Sequence, residues 1–158
     1  MASVYIETSI PSFFFDTRRT IQFRAWREVT RRWWEMARHR YALYSSPFVV
    51  AELERTPEPK RTLALELLEG IPLLMDSDAV RTTARVYVKE RLMPADARGD
   101  AAHLASASVH RIDFLLTWNC RHLANANKFG HIAAVNRRLG LPTPALVTPL
   151  ELLGEADL

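Results

Sequence analysis

Hydrophobic positions along the chain switch between two periods, and the switching predicts a string of β-α units. Ser3–Thr8 is a short run dominated by β-branched and aromatic residues, the mark of a buried strand. Ser9 and Pro11 suit a strand-to-helix turn, because proline is tolerated in a helix's first turn. From Ile21 to His39 the spacing predicts a long helix. At about 100° per residue, Phe23, Trp26, Val29, Trp33 and Met36 share one side, and Arg24, Arg27, Arg31 and Arg38 lie opposite. Tyr41–Ser45 predicts a second strand, and Ser46 with Pro47 opens a helix carrying Phe48, Val49 and Glu52. A helix over Arg61–Glu69 stops at Gly70, and Ile71–Met75 predicts a third strand. Asp78 is the expected N-cap of a helix reaching about Arg91. After Pro94, a helix from near Asp96 to His110 carries Asp100 and His103. Asp113–Thr117 predicts a fourth strand, and Arg121–Leu139 a helix ended by Gly140 and Pro142. Ala145–Thr148 predicts an edge strand, with a short helix at Pro149.

Strands alternating with helices imply an α/β fold: a three-layer α/β/α sandwich around a mainly parallel sheet of four to five strands. Residues 1–158 are expected to form one domain. In such sheets ligands collect beyond the carboxyl ends of the strands. Glu7 lies at the end of the first strand and Asn119 just past the fourth, while Glu52 and Asp100 lie on helices whose starts face the same edge. Four oxygen-bearing side chains are thus expected in one crevice.

Composition supports a globular chain, with 48% hydrophobic and 25% charged residues. The single cysteine, Cys120, leaves no internal disulfide and no cysteine cluster for zinc, which points to a reducing, cytoplasmic setting. Glu7 and Pro11 interrupt the N-terminus early, so neither a signal peptide nor a membrane span is expected. The formal charge of +3 is uneven, since Arg18 to Arg40 holds eight arginines against Glu28 and Glu35, a local +6.

Crowded carboxylates repel: two charges about 4 Å apart cost roughly 4 kcal/mol at an effective dielectric near 20. A hard cation, Mg²⁺ or Mn²⁺, removes that repulsion and takes oxygen ligands. Such an ion polarises a phosphate and lowers the pKa of a water, as metal-assisted phosphodiester hydrolysis requires. Spacing alone does not select four residues from 18 acids.

Resemblance does. The segments Val4–Ser9, Ser45–Leu53, Asp100–Ala107 and Phe114–Asn119, in that order, together resemble the PIN-domain family. The resemblance covers nearly the whole chain, and Thr117–Ala126 looks like one particular subgroup. It implies a VapC-like toxin: a Mg²⁺- or Mn²⁺-dependent ribonuclease restrained by an antitoxin peptide. On that pattern Glu7, Glu52, Asp100 and Asn119 would be the catalytic set, with Glu7, Glu52 and Asp100 holding the metal. Two positions depart from it. Glu7 stands where an aspartate is usual, and Asn119 replaces the aspartate of a Thr-x-Asp pattern, so a charge is lost.

Other readings remain open at these positions. Glu7 and Glu52 also suit solvated charges, Asp100 a helix first turn, and Asn119 a turn residue. Thr8, Ser9, Thr117 and His103 are candidates to support the site from behind, though Thr8 and Ser9 equally suit helix caps. Arg24, Arg27 and Arg31 form a candidate phosphate track for RNA, against the plain alternative of a solvated face. Trp34 suits either packing or base stacking. The Phe13–Phe15 run with the tryptophans suggests a homodimer contact. The runner-up to a toxin ribonuclease is a degenerate domain that binds nucleic acid or a protein partner without cutting, and a DNA-directed nuclease is a third reading.

Overall fold

A computed structural model of the chain describes residues 1–94 and 98–158. Four parallel strands form its sheet: β1 (Ser3–Ile6), β2 (Ala42–Tyr44), β3 (Phe114–Leu116) and β4 (Ala145–Val147), in the order β2-β1-β3-β4. Seven α-helices are described around it: α1 (Ser9–Phe14), α2 (Ile21–Arg32), α3 (Pro47–Glu54), α4 (Lys60–Leu67), α5 (Asp78–Lys89), α6 (Arg98–Val109) and α7 (Ala126–Arg138). The fold is the expected α/β class, with helices flanking a parallel sheet as in a three-layer sandwich. Its strands are apolar on both faces, as a parallel sheet covered on both sides requires: Val4, Tyr5, Ile6, Leu115 and Leu116 are fully buried. No described helix is long and apolar enough to cross a membrane.

Side-chain caps set several helix starts. Thr20 accepts the Phe23 N–H, Ser46 the Val49 N–H, and Ser77 the Val80 N–H. The cap of α5 is therefore Ser77, with Asp78 moved one place inside, where its charge favours the helix dipole.

Three expected elements come out differently. Ile71–Met75 is reduced to a single parallel bridge, Ser45 to Leu73, because Pro72 has no N–H to give and Leu73 and Met75 face outward. The helix expected from Arg121 begins at Ala126, since the Asn119 side chain captures the N–H groups of Arg121 and His122 in a turn. Pro149 opens only a turn, and the chain ends in a 3₁₀ segment, Glu155–Asp157, tied to Arg40 by an ion pair. The expected helix start near Asp96 lies outside the described residues.

The Ile21–His39 helix also changes character. Its α-turns end at Arg32, Trp33–Ala37 winds as a π-helix, and Arg38–Arg40 tightens to 3₁₀. The wide turn, closed by the Arg38 N–H on the Trp33 carbonyl, breaks the 100° phase. Met36 is consequently 50% exposed instead of packed, while Trp34 joins Trp33 in the core. The Arg38 guanidinium lies 5.4 Å from the centre of the Trp34 ring.

Candidate active site at the carboxyl edge of the sheet

From β1 the chain crosses to β2 on one side, whereas β3 leads to β4 on the other. The neighbouring pair β1 and β3 is thus the switch point, where the segments leaving the strands diverge and open a crevice. Glu7 directly follows β1 and Thr117 directly follows β3, and they meet there. The Thr117 hydroxyl donates to Glu7 Oε2 at 2.9 Å, beside the Ser9 N–H at 2.8 Å and the Ser9 hydroxyl. Ser9 Oγ in turn accepts the Trp118 N–H at 2.8 Å, and Thr117 Oγ1 accepts the Asn119 N–H at 2.9 Å. Burial raises the Glu7 pKa, in spite of nearby His103 and the donors from Ser9 and Thr117 that favour the anion.

Glu52 reaches the same edge from α3. Its Oε1 lies 2.8 Å from His103 Nε2, and the fully buried His103 places Nδ1 2.6 Å from the Tyr5 hydroxyl. That hydroxyl is also 2.6 Å from Ser46 Oγ, so a polar chain runs Glu52–His103–Tyr5–Ser46 through the core. Thr8 Oγ1 is 3.5 Å from His103 Nε2, at the limit of a hydrogen bond. Burial disfavours the imidazolium, yet the Glu52 hydrogen bond and the charges of Glu7, Glu52 and Asp100 outweigh it and raise the His103 pKa. For Glu52, burial pushes the other way but His103 wins, and its pKa is lowered. All three acids thus act on one buried histidine.

Asp100 stands in the first turn of α6 and accepts the Asn119 Nδ2–H at 2.9 Å. Burial raises its pKa, with the Glu52 charge adding to the effect and Asn119, His103 and His122 opposing it. Gly99, just before it, makes room for Glu52: a Cβ there would come within 2.6 Å of Glu52 Oε1. The Asn119 amide is engaged at both ends, because its Oδ1 accepts the Arg121 and His122 N–H groups at 3.2 and 3.0 Å. Those two backbone donors fix the orientation of the amide. Asn119 therefore shapes the turn and steers Asp100, and its carbonyl oxygen is occupied.

The donor set suits a hard cation. Three carboxylates are coupled through His103, and Glu7 Oε1 and Asp100 Oδ2 accept no hydrogen bond among the described residues. Two of the three have raised pKa values, the behaviour of buried anions short of positive charge. As arranged, though, no three His, Cys, Asp or Glu side chains among the described residues converge closely enough to hold an ion. Each acid is instead held by its own partner.

The arginines divide. Arg24 is exposed, whereas Arg27 Nη1 donates to the Asp16 carbonyl at 3.0 Å and Arg31 Nε to the Phe14 carbonyl at 2.8 Å. Arg31 satisfies a carbonyl left over in the last turn of α1, and Arg27 one in the loop that follows. The aromatic run that suggested a homodimer packs on the chain's own tryptophans. Phe13 meets Trp26 and Trp118 edge-on, Phe14 meets Trp34, and Trp118 stacks on Trp26 at 4.7 Å. Stacked pairs of this kind contribute about 0.5–1.5 kcal/mol beyond their buried area. Sequence reasoning passed over Tyr5, Ser46, Gly99 and Trp118. A tyrosine in an otherwise apolar strand is the one signal that pointed to a buried polar partner.

No protein-family model matches the chain, and no curated protein matches it.

Proposed function

We propose that the chain is a Mg²⁺- or Mn²⁺-dependent endoribonuclease of PIN-domain type, the cytoplasmic toxin of a toxin–antitoxin pair. The observation that carries this reading is that Glu7, Glu52 and Asp100 share one edge of a parallel sheet, Glu52 in contact with the buried His103 and the charges of Glu7 and Asp100 acting on it from farther off. Glu7, Glu52 and Asp100 would hold the cation, which when bound supplies a polarising charge for a phosphate and an acidified water. Ser9 and Thr117 aim Glu7, while His103, braced by Tyr5, aims Glu52. Asn119 steers Asp100. Neutralising these acids is also the expected role of an antitoxin, through a cationic or apolar tail laid in the crevice. A second copy of the chain is a further expected partner.

One observation favours a second reading, a domain that binds nucleic acid or protein without cutting. Both ends of the Asn119 amide are already bonded, so the position supplies neither charge nor a free oxygen. Incubation of the protein with mixed RNA and DNA in Mg²⁺, Mn²⁺ or EDTA, with Asp100→Asn as control, separates the readings. Metal-dependent RNA cleavage lost in Asp100→Asn supports the ribonuclease, and cleavage of DNA alone transfers the reading to a DNA nuclease. Equal cleavage by both proteins, or none by either, overturns it.

A further inference from the structure

A second crevice, of about 570 Å³, lies between the loop after α1, the face of α2 and the loop joining α3 to α4. We propose that this crevice is a phosphate-binding site, separate from the three acids. Arg18, Arg27, Arg31 and Lys60 line it, with Asp16 at the back. Asp16 is buried, pairs with Arg18 at 2.5 Å and lies 4.0 Å from Lys60. Glu58 is present but is engaged by Arg61 at 2.9 Å and Thr62 at 2.7 Å. Two carboxylates and four cations thus line the crevice, an excess of two formal charges.

Donors are left over as well as charge. Arg27 gives Nη1 to the Asp16 carbonyl and Arg31 gives Nε to the Phe14 carbonyl. Arg27 Nη2, both terminal nitrogens of Arg31 and the Lys60 ammonium donate to no acceptor among the described residues. Burial lowers the Lys60 pKa, with Asp16 opposing it and Arg18 adding a smaller push in the same direction. A phosphate answers each of these features, since guanidinium forks match its oxygens and its charge offsets the excess. Phe15, Pro57 and Leu63 add apolar wall, suited to the sugar or base attached to such a phosphate.

Position ties the crevice to the acids. Thr56 lines it and stands just past the end of α3, its hydroxyl donating to the Glu52 carbonyl at 3.4 Å. A strand bound at the carboxylates and led along α3 would come to this pocket next. That link to a strand being cut rests on the nuclease reading, whereas phosphate binding itself does not. The same chemistry is offered by a polynucleotide backbone and by free phosphate, so the test carries both.

Affinity for a labelled single-stranded RNA oligonucleotide is measured in EDTA across a salt series, for the wild type and three variants. Lys60→Gln removes a cation from the crevice and leaves the Asp16–Arg18 pair intact. Leu63→Lys adds one at a position already 40% exposed. Arg137→Gln makes an equal charge change near the end of α7, which leads into the start of β4 and so lies away from the carboxyl edge. The slope of log affinity against log salt is expected to fall by about 0.7 in Lys60→Gln and to steepen by about 0.7 in Leu63→Lys, the single-strand value per cation. Arg137→Gln should leave it unchanged. In parallel, inorganic phosphate should raise the wild-type Tm more than that of Lys60→Gln. A phosphate effect without an RNA effect assigns the site to free phosphate. Slopes shared by Lys60→Gln, Leu63→Lys and the wild type, together with identical phosphate responses, overturn the proposal. Because no cleavage is read, failure here leaves the nuclease assay to be judged alone.

Discussion

Replacing Asn119 with aspartate is the most informative change at the carboxyl edge. The substitution is nearly isosteric and keeps an oxygen for the Arg121 and His122 N–H groups that hold the side chain in place. What it alters is the 2.9 Å contact with Asp100, where a donor becomes a second carboxylate. At that distance, with an effective dielectric near 20, two charges repel by about 6 kcal/mol. The protein avoids the full cost by keeping a proton on one of them. Holding it at pH 7 on a group of ordinary pKa near 3.9 costs about 4 kcal/mol, which is the ceiling on destabilisation. For a chain of this size that ceiling corresponds to a Tm lower by about 8–16 °C. The pH dependence has a definite sign. Asp100 already has a raised pKa in the fold, and a second carboxylate raises it further. A group so raised contributes its stability below its unfolded value and loses it as pH rises through the folded one. The variant should therefore match the wild type near pH 4, the ordinary aspartate range, and fall behind progressively toward pH 7. Millimolar Mg²⁺ should close the gap, because a cation that binds only the folded site stabilises by mass action. Thermal unfolding across pH, with Mg²⁺ or EDTA, measures all of this. Parallel wild-type and variant curves, indifferent to pH and to Mg²⁺, would refute both the placement of Asn119 and the cation reading.

Two further outcomes are expected. Tyr5→Phe strips the hydroxyl that joins His103 to Ser46, leaving two buried polar groups short of a partner; urea unfolding should register a loss of about 1–3 kcal/mol, and an unchanged midpoint would mean that the polar chain contributes nothing to stability. Gly99→Ala places a methyl against the Glu52 carboxylate, a movable group, so Tm should hold within a degree or two while metal-dependent cleavage falls at least several-fold; activity equal to the wild type would show that the Glu52 position is not critical.

The sheet was legible in the sequence because parallel strands buried on both faces leave compact apolar runs, and β1, β2, β3 and β4 all fall within such runs. The Ile71–Met75 run misled for the same reason: it has strand composition, but Pro72 cannot complete a ladder and only one bridge forms. Helix phase was legible up to Trp33 and not beyond it, since nothing in a periodic pattern announces a wider turn. At the candidate site, topology located the edge and resemblance chose the acids. The partners that hold those acids are another matter. Tyr5 and Ser46 read as a strand residue and a helix cap, and the chain they form depends on Tyr5 meeting Ser46, 41 positions away, and His103, 98 positions away. Asn119 carried two meanings in the sequence, and its bonds give weight to the turn.

The π-turn at Trp33–Ala37 makes this stretch sensitive to length rather than to composition. Substitutions on its outer side, at Glu35 or the half-covered Met36, face mainly solvent. Removing one residue from the wide turn lets it rewind as ordinary α-helix with its flanks in phase, whereas a residue lost from the α-turns before it rotates everything on one side of the cut by about 100° relative to the other. Trp34 would leave its seat against Phe14, and the arginines that close off α1 would lose their alignment with Phe14 and Asp16. The wide turn absorbs one extra residue, and the rod on either side of it keeps its facing toward its neighbours.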